Sequence, residues 1–353
     1  MSNNNKKVLV AISGGLDSSA AAFILKKQGY DLIGVYFRIG VVQDKIGEEA
    51  ARKVCRFLNI PFFPINLSYQ FKKEIIDYFI DEYSRGLTPN PCVRCNKLIK
   101  FGKLFKIAKN LSADFMATGH YIKKESTKNK IALLKAKDIL KDQSYFLYNL
   151  NQEILKNTLF PCGEYTKKEI RKIAEQNKIP FLKSESQDIC FLNEDGKIID
   201  HNDFLKKNIK LKSGPIKTLD NKEIGQHQGL PLYTIGQRKG IEIGGTGPFY
   251  ALKKDYKNNT LYVVNNLNDS ALFAQDFIIN NVNWISGLKP EFPFDCEVVI
   301  RYRHKAVKCS VNFSKVGKKY IVNLHEPQRA ISPGQSAVFY RGDELIGGGI
   351  IVL

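Results

Sequence analysis

Residues 7–19 read KVLVAISGGLDSS, and this stretch predicts how the chain is organised. A short apolar run ends in Ser-Gly-Gly-Leu-Asp-Ser, and a helical pattern over residues 20–27 follows at once. That order is typical of a buried strand, a tight turn and a helix N-terminus. Gly14 and Gly15 let backbone N–H groups turn inward, and the helix start adds the positive end of its dipole. The stretch therefore predicts an anion site at the end of the first strand.

The side chains of this loop favour a phosphate as the anion. Ser13, Ser18 and Ser19 offer hydroxyl donors, and Asp17 can hold a cation or cap the helix. A plain glycine-rich turn with Asp17 or Ser18 as N-cap is the simpler alternative, and the loop lacks the Gly-Lys-Ser/Thr of the Walker type. The full string SGGLDS resembles the pyrophosphate loop of ATP pyrophosphatases. Those enzymes split ATP between its α- and β-phosphates and leave AMP on a substrate oxygen.

Composition bounds the class of protein. The chain has 353 residues and is 43% apolar, which predicts two or three domains with real cores. Its start lacks the apolar core of a signal peptide, and no run of about twenty apolar residues occurs, so we expect a cytosolic protein without a membrane span. Seven cysteines without a secretion signal argue against a disulfide framework. A solvated lysine-rich surface explains part of the net charge of +19. An excess this large nevertheless favours a polyanionic partner, and nucleic acid is the natural candidate.

Strand and helix patterns alternate through the first half of the chain. This rhythm predicts an α/β fold with a doubly wound parallel sheet and helices on both faces. Ligands bind such sheets at the carboxyl ends of the strands, where Phe37, Arg38, Gly119 and His120 fall. The predicted strands are residues 31–37, 61–66 and 114–118, and the predicted helices are residues 48–58, 71–84, 97–110 and 166–176, the last with a Thr166–Glu169 capping box.

The pattern changes near residue 195. Residues 196–231 are polar and lysine-rich, and short strands separated by turn residues follow. Such strands predict a small C-terminal β-barrel. We expect a catalytic domain at residues 1–203, a small central domain at 204–272 and the barrel at 273–353. The predicted short strands are residues 261–264, 276–279, 295–303, 308–313, 319–324, 335–340 and 344–352.

A second informative stretch, residues 86–97, reads GLTPNPCVRCNK. It predicts a loop with two cysteines just before a helix. Cys95 lies close to the predicted helix start, with Arg94 and Lys97 beside it, and each of these features stabilises a thiolate. Half of a zinc site and two inert thiols are the alternatives, but a complete zinc site commonly uses a second Cys-x-x-Cys. Taken alone, the other cysteines are expected to be inert, namely Cys55, Cys162, Cys190, Cys296 and Cys309.

At this point a resemblance covers nearly the whole chain. After SGGLDS the motifs stand in the order found in the tRNA-specific 2-thiouridylases, which replace the position-2 oxygen of the wobble uridine by sulfur. These motifs are TPNPCVRCNKLIKFG (residues 88–102), ATGHY (117–121), KDQSYFL (141–147), SESQDICFL (184–192), YTIGQRKG (233–240), RYRH (301–304) and PGQSAVFY (333–340).

The resemblance implies a role for each matched residue. Cys95 matches the family's nucleophile, and Cys190 matches the cysteine that carries the incoming persulfide. The ATP-contacting positions are Ala11, Ile12, Ser13, Gly14, Gly15, Leu16, Asp17, Ser18, Phe37 and Gly119. The segment beside the target base is Asn90, Pro91 and Cys92, and the positions that contact or place the tRNA are His120, Lys141, Asp142, Gln143, Arg301, Tyr302 and Gln335.

The resemblance also implies the chemistry and the partners. Adenylation turns a poor leaving group, the carbonyl oxygen, into AMP, and a persulfide on Cys190 then supplies sulfur, directly or after release by Cys95. Either route can leave a Cys95–Cys190 disulfide. Mg²⁺ is expected with ATP. The expected partners are wobble-uridine tRNAs of the lysine, glutamate and glutamine type and a persulfide donor protein, such as a cysteine desulfurase or a sulfur-relay protein.

Three alternatives stay open from the sequence. Many family members have an acidic residue where this chain has Cys92, so Cys92, Cys95 and Cys190 could instead ligate an iron–sulfur cluster. An RNA-binding protein that keeps the loop without catalysis is a second alternative. A pyrophosphatase acting on a small molecule is the third, and the barrel and the net charge disfavour it.

Overall fold

The computed structural model describes residues 6–126, 130–183, 189–194, 197–241, 243 and 247–352. The strands are β1 Lys7–Ala11, β2 Asp31–Arg38, β3 Phe62–Asn66, β4 Phe115–Ala117, β5 Lys123–Ser126, β6 Ile131–Leu134, β7 Thr158–Leu159, β8 Asn193–Glu194, β9 Lys197–Ile198, β10 Gly214–Lys217, β11 Glu223–His227, β12 Tyr250–Asp255, β13 Thr260–Val264, β14 Phe273–Trp284, β15 Phe294–Val299, β16 Val307–Ser314, β17 Lys319–Arg329, β18 Ser336–Arg341 and β19 Glu344–Val352. The α-helices are α1 Leu16–Lys27, α2 Asp44–Phe57, α3 Ser68–Phe71, α4 Asp77–Ser84, α5 Pro91–Cys95, α6 Gly102–Asn110, α7 Gln152–Lys156, α8 Lys167–Gln176 and α9 His201–Asn208. Lys72–Ile76 and Asn96–Phe101 are π-helical, and 3₁₀ turns occupy Ile139–Lys141, Ser144–Phe146, Leu230–Leu232, Ser270–Leu272 and Val316–Lys318.

The first half of the chain forms a parallel sheet in the order β3-β2-β1-β4-β7. Apolar β1 lies at its centre and pairs in parallel with β2 and β4. Successive side chains of a strand point to opposite faces, so Val8 and Val10 pack against α1 and α2 while Leu9 packs against Leu104 of α6. The predicted α/β fold with helices on both faces is therefore confirmed.

Two of the predicted helices are interrupted by π-helical turns. The predicted helix at residues 71–84 is built from α3, Lys72–Ile76 and α4. The predicted helix at 97–110 begins earlier, because Asn90 caps α5 by accepting from the Val93 N–H at 3.2 Å and Pro91 suits the first helical position. The prediction of a loop around the two cysteines is therefore wrong, since both lie in a helix. The Thr166–Glu169 capping box is present as predicted.

The C-terminal strands close into a six-stranded antiparallel barrel in the order β14-β17-β16-β15-β18-β19, with β14 pairing to β19. Inward side chains such as Val311, Phe339 and Trp284 fill its core. The predicted barrel is confirmed. The strand predicted at residues 295–303 ends at Val299, because residues 301–303 turn away from the sheet.

A hairpin from the first half of the chain joins this barrel. Strands β5 and β6 pair with each other, and β6 pairs with β19 through Leu133–Leu345 and Leu134–Glu344. The sequence did not predict this hairpin, whose Lys-Lys-Glu-Ser strand carries no apolar alternation. The two regions therefore share a continuous sheet.

In the sequence, a four-stranded sheet lies between the parallel sheet and the barrel. Its strand order is β11-β10-β13-β12, and it packs on α9. The sequence predicted no elements between residues 196 and 231, because polar residues dominate there and only isolated apolar residues such as Ile216 mark the buried face. The strand predicted at 261–264 belongs to this sheet rather than to the barrel. The domain boundaries drawn at 203 and 272 stay predictions.

Across the described ranges, no helix has both the length and the apolar character needed to cross a membrane.

Candidate active site

The loop between β1 and α1 has the predicted strand–turn–helix geometry. Gly14 has a φ of +80°, and a Cβ there would lie 2.6 Å from the Cβ of Ala50 on α2. The Ser18 hydroxyl accepts from the Ser13 N–H at 3.1 Å and donates to the Gly15 carbonyl at 3.1 Å. The loop is thus curled tightly against α2, and glycine is required where the backbones approach.

Asp17 does not cap α1, because the N-cap position is Gly15 and no side chain caps the helix. Its carboxylate lies 2.7 and 2.8 Å from the Lys167 ammonium, one distance for each oxygen. The Tyr121 hydroxyl donates to the same carboxylate at 2.8 Å. Of the two predicted roles, capping is therefore wrong, and the cation that Asp17 holds in this structure is Lys167.

The residues predicted at the carboxyl edge of the sheet do lie there. Phe37 is half-buried near the end of β2, and Gly119 is the second residue after β4. A Cβ on Gly119 would lie 2.7 Å from the backbone nitrogen of Ser18, so the chain after β4 touches the first turn of α1. The structure therefore brings Gly119 onto the loop that the sequence assigned to the nucleotide. Ile12 and Leu16 are buried beneath that loop.

The chain that leads to Cys190 is attached to the same loop. The Leu182 N–H donates to the Gly14 carbonyl at 2.9 Å. Residues 184–188 of the SESQDICFL motif lie outside the described residues. Cys190 is exposed, whereas the following Phe191 is buried against Phe79 with ring centroids 5.2 Å apart. The chain is therefore bonded to the anion loop at Leu182, and eight residues later it carries an exposed cysteine followed by an apolar anchor.

Cys95 is the last residue of α5, and its side chain is buried. Burial raises the pKa of its thiol to about 12, a rise that Cys190 and Cys92 augment and Lys100 opposes. The predicted stabilisation of a Cys95 thiolate is therefore wrong, because desolvation outweighs the helix start. Cys95 nevertheless packs in one apolar cluster with Phe191, the residue after Cys190, so the structure brings the two predicted thiols into one neighbourhood.

Arg94, which the sequence placed beside the thiol, is engaged elsewhere. Its guanidinium donates to the Glu74 carbonyl at 2.6 Å and to the Glu74 carboxylate at 3.1 Å. It also lies 4.2 Å from the centre of the Tyr78 ring. Arg94 therefore ties α5 to the preceding helix and is not the cation of the thiol site.

Cys190 is exposed as a residue, yet protein surrounds its thiol closely enough to raise the pKa by desolvation. Lys100 again acts in the opposite direction and lowers that pKa. All seven cysteines are free thiols, so Cys95 and Cys190 are both reduced here.

The barrel holds the chain just before α5. The Gln335 side-chain amide donates to the Thr88 carbonyl at 2.7 Å, and the Thr88 N–H donates to the Pro333 carbonyl at 2.8 Å. A Cβ on Gly334 would lie 2.8 Å from the Thr88 nitrogen. Gln335, predicted to place the tRNA, therefore also positions the backbone that leads to Asn90 and the helix with both cysteines.

Other residues predicted to contact tRNA make internal bonds. The Asp142 carboxylate accepts from the Ala136 N–H at 2.8 Å and from the Ser144 hydroxyl at 2.5 Å. The Gln143 side chain accepts from the Tyr121 N–H at 3.0 Å. Tyr302 donates to the Asp142 carbonyl at 3.3 Å, and Arg301 contacts Ser332 at 3.5 Å. Lys141 is half-buried beside them. The structure thus places these residues along one seam between the sheet domain and the barrel.

His120 is buried against Phe101, with ring centroids 5.3 Å apart, and its Nδ1 lies 2.9 Å from the Thr118 hydroxyl. Burial lowers its pKa well below the usual value, so the ring is neutral near pH 7. A tRNA contact at this position would involve a side chain that is covered in this structure.

The cysteines predicted to be inert are buried or half-buried, apart from Cys190. Cys55 packs under β2, and burial raises its pKa to about 12. Cys162 is buried beneath the loop and donates to the Asp17 carbonyl at 3.4 Å. Cys296 and Cys309 face each other across β15 and β16 with their sulfurs 3.6 Å apart. None of these four lies in the thiol neighbourhood of Cys95.

With this geometry in place, three family models match successive parts of the chain. They are described as tRNA methyl transferase HUP domain at residues 6–194, tRNA methyl transferase PRC-barrel domain at 202–265 and Aminomethyltransferase beta-barrel domain at 274–351. The tRNA-specific 2-thiouridylase MnmA of Idiomarina loihiensis is 40% identical over 99% of this chain and 97% of its own. MnmA 2 of Clostridium botulinum is 44% identical, with 98% of each chain covered. The chain belongs to the tRNA-specific 2-thiouridylase family.

A third member of that family, MnmA 1 of Geobacillus kaustophilus, is 42% identical over 98% of this chain and 95% of its own. Among solved structures, a 4-thiouridine synthetase–RNA complex with bound ATP has a TM-score of 0.36 and 19% identity over 57% of this chain and 49% of its own. At that distance the likeness supports no conclusion about this chain. The full-length matches come from the thiouridylase family.

The iron–sulfur alternative is not supported. Within the part of the chain that the structure describes, no group of three or more His, Cys, Asp or Glu side chains is placed to hold a metal ion. Cys92 is half-buried in α5, three residues before the buried Cys95.

Sequence reasoning missed four residues of this candidate site. Lys167 and Tyr121 bind Asp17, Thr88 carries the contact with the barrel, and Lys100 acts on both thiols. Thr88, Lys100 and Tyr121 lie inside the quoted motifs, but nothing local distinguishes them from solvated or core residues. Lys167 begins a helix whose sequence is typical of a charged, solvated face. Its partner Asp17 lies 150 residues away, so no local pattern indicates the ion pair.

Proposed function

We propose that this protein is a tRNA sulfurtransferase that replaces the position-2 oxygen of the wobble uridine by sulfur, at the cost of ATP. One observation carries this proposal. Leu182, in the segment before Cys190, is bonded to the curled loop at Gly14, and Phe191, directly after Cys190, packs in one apolar cluster with Cys95. The loop expected to bind ATP and the cysteine expected to carry sulfur are thus joined through Leu182, eight residues before Cys190, which supports a reaction that uses both.

The first half-reaction uses the loop. Its inward N–H groups, the N-terminus of α1 and the Ser13 hydroxyl would bind the phosphates of ATP. The uridine oxygen attacks the α-phosphate, pyrophosphate leaves, and AMP becomes bonded to that oxygen. Gly119 and Phe37 would border the nucleotide, since both lie at the same edge of the sheet.

The second half-reaction uses the two thiols. The terminal sulfur of a Cys190 persulfide attacks carbon 2 of the base, and the C–O bond breaks as AMP leaves with its electron pair. The Cys95 thiolate then attacks the Cys190 sulfur, which releases 2-thiouridine and forms a Cys95–Cys190 disulfide. An external thiol reductant returns both cysteines to the free state. Asn90, Pro91 and Cys92 would lie beside the base because they begin the helix that carries Cys95.

Mg²⁺ would accompany ATP rather than occupy a site made of protein side chains. The loop carboxylate, Asp17, is already engaged by Lys167, and no metal-binding group is placed among the described residues. The phosphates themselves supply the oxygen ligands that Mg²⁺ prefers, and the ion neutralises their charge.

The tRNA would be held by the sheet domain, the central sheet and the barrel together. The net charge of +19 favours a polyanion, and Lys141, Arg301 and Tyr302 lie at the seam between domain and barrel. Phosphate contacts would position the tRNA, while the wobble base turns out into the pocket. We further propose wobble-uridine tRNAs of the lysine, glutamate and glutamine type as substrates and a cysteine desulfurase or sulfur-relay protein as the persulfide donor.

The test is ATP turnover with nucleoside analysis of the product. Purified protein is mixed with ATP and an unmodified tRNA transcript that has a wobble uridine, or with the same transcript carrying a wobble cytidine. The proposal predicts AMP and pyrophosphate, not ADP, and only with the uridine transcript. With a persulfide donor present, the digested tRNA contains 2-thiouridine. ADP as product, tRNA-independent turnover or a methylated nucleoside would each contradict the proposal.

A further inference from the structure

The helix that carries Cys95 changes its winding directly after that residue. Asn96–Phe101 is π-helical and lies between α5 and α6, with Cys95 at its N-cap position. In an α-helix the neighbours on one face are three and four residues apart. A π-helix pairs residues five apart, so Lys100 is brought towards the face of Cys95. Such turns recur at functional sites.

The sequence supports this winding at the end of the π-helical segment. A Cβ on Gly102 would lie 2.7 Å from the carbonyl oxygen of Lys97, five residues earlier. Glycine is therefore the residue that lets the wide turn close without a clash. The sequence at Gly102 is therefore compatible with the change from α-helical to π-helical winding.

Lys100 is exposed, while the residues on either side of it, Ile99 and Phe101, are buried. Ile99 packs in one apolar cluster with Cys95 and with Phe191, the residue after Cys190. Phe101 packs against His120. Packing on both sides of Lys100 therefore fixes its backbone between Cys95, the Cys190 segment and His120.

The charge of Lys100 is felt by all three of these groups. It lowers the pKa of Cys95 and of Cys190, which burial raises. It also lowers the pKa of His120, in the same direction as burial. These groups lie on three separate elements, and the contacts of Ile99 and Phe101 on either side of Lys100 place its backbone among them. Arg94 is engaged by Glu74 and Tyr78 and does not share this place.

We propose that Lys100 is the cationic positioning residue of the thiol pair, where it stabilises negative charge on Cys95 and on the persulfide of Cys190. The role of Lys100 in sulfur transfer rests on the proposed function, whereas its effect on the two thiols can be measured without that reaction. Sulfur transfer needs a Cys95 thiolate, and it passes through an anionic terminal sulfur on Cys190. When the Cys95 thiol loses its proton to solvent, the Lys100 ammonium stabilises the negative charge that forms on the buried sulfur.

The test is alkylation of each cysteine as a function of pH, in the absence of ATP and tRNA. Wild type, Lys100→Met, Lys100→Gln, Lys100→Arg and Lys97→Met are treated with iodoacetamide, and each cysteine is followed by peptide mass spectrometry. Lys97 is the matched control, because it is an exposed lysine of the same π-helical segment that does not act on the pKa of Cys95, although the sequence placed it beside that thiol.

The expected result is an upward shift of the alkylation profile of Cys190 and Cys95 in Lys100→Met and Lys100→Gln. A shift of half a pH unit corresponds to about threefold slower reaction near neutral pH. Lys100→Arg restores the profile, Lys97→Met leaves it unchanged, and buried Cys309 stays slow throughout. A uniform acceleration of all cysteines would mean a loosened fold, which thermal unfolding of both neutral variants checks.

Unchanged profiles in folded Lys100→Met and Lys100→Gln overturn the inference, and so does an equal shift in Lys97→Met. A general loss of fold in both neutral variants also counts against it, because Lys100 would then act in folding. The proposed function fails separately. If the wild type forms no 2-thiouridine but the Lys100 variants show the alkylation shift, the effect of Lys100 on the thiols is confirmed and the proposed thiolation reaction is wrong.

Discussion

The Lys167 ammonium lies 2.7 and 2.8 Å from the two carboxylate oxygens of Asp17, and the two residues are 150 positions apart in the chain. Lys167 opens α8, and Asp17 stands in the first turn of α1 behind the anion loop. The lysine side chain is largely buried, whereas the aspartate is about one third exposed. The pair therefore fixes the loop from its inner side and brings a positive charge next to the expected phosphates.

Replacing Lys167 with methionine should weaken ATP use without unfolding the protein. The change leaves the Asp17 carboxylate uncompensated beside the phosphates, and repulsion follows. We expect KM for ATP to rise about tenfold or more in the tRNA-dependent release of AMP. Lys168→Met is the control, since the neighbouring lysine has no bond to the loop among the described contacts. Equal kinetics of the two variants would show that the pair is only structural.

Gly119→Ala should damage the loop more than its size suggests. The added Cβ would lie 2.7 Å from the Ser18 nitrogen and 2.8 Å from the carbonyl carbon of Asp17. Backbone must move to relieve such contacts, at a cost of about 1–3 kcal/mol. Urea unfolding measures this loss, and ATP binding by calorimetry should weaken with it. Gly225→Ala, where the new Cβ meets Ile243 at 3.4 Å, should be nearly neutral.

Gln335→Met should slow catalysis while leaving ATP binding intact. The change removes the donor to the Thr88 carbonyl, so the chain before α5 is held by one bond to the barrel instead of two. Small displacements of reacting groups cost large factors in rate, and we expect kcat for thiouridine formation to fall about tenfold. Gln328→Met, at a half-buried position of β17 whose side chain donates to the adjacent Glu326 and Pro327 carbonyls, is the comparison and should behave as wild type. An unchanged kcat in Gln335→Met would refute the positioning role.

His120 should make the protein less stable in mild acid. Burial lowers its pKa in the folded state, so the unfolded chain binds the proton first as pH falls through about 6.5. The free energy of unfolding then declines with falling pH, by at most about 1.4 kcal/mol per pH unit for one group. Urea unfolding at pH 8 and pH 5.5 should show a smaller difference for His120→Gln than for wild type. Exposed His325→Gln should keep the wild-type difference, and the same slope in all three proteins would refute the prediction.

Much of the fold could be predicted because local patterns and tertiary structure agree. The apolar β1, the two glycines after it and the Thr166–Glu169 capping box each specify their own geometry within a few residues. The central sheet was missed because its buried face is marked by single apolar residues among lysines. The helical start at Pro91 was missed because two prolines near a cysteine pair read as a loop, although proline suits the first helical position.

The sequence predicts residues of the candidate site but not the contacts between them. The motifs point to the loop, Cys95 and Cys190, since residue type carries their chemistry. The burial that raises the pKa of Cys95 depends on Ile99 and Phe191, which come from distant parts of the chain. The cation at the thiols is Lys100 rather than Arg94, because a π-helical turn shifts which side chain faces Cys95. Gly102 permits that turn, but a single glycine in a helical pattern does not by itself predict it.

The central claim is that two thiols, Cys95 and Cys190, carry sulfur to an adenylated wobble uridine. Its most direct test is 2-thiouridine formed from purified tRNA, ATP and a persulfide donor under anaerobic conditions, with iron assayed. We predict that Cys95→Ser and Cys190→Ser each lose about a hundredfold or more of the product, while Cys92→Ser stays within a few-fold of wild type. Product formation by Cys95→Ser or Cys190→Ser, or a need for all three cysteines with activity that follows iron content, would contradict the account.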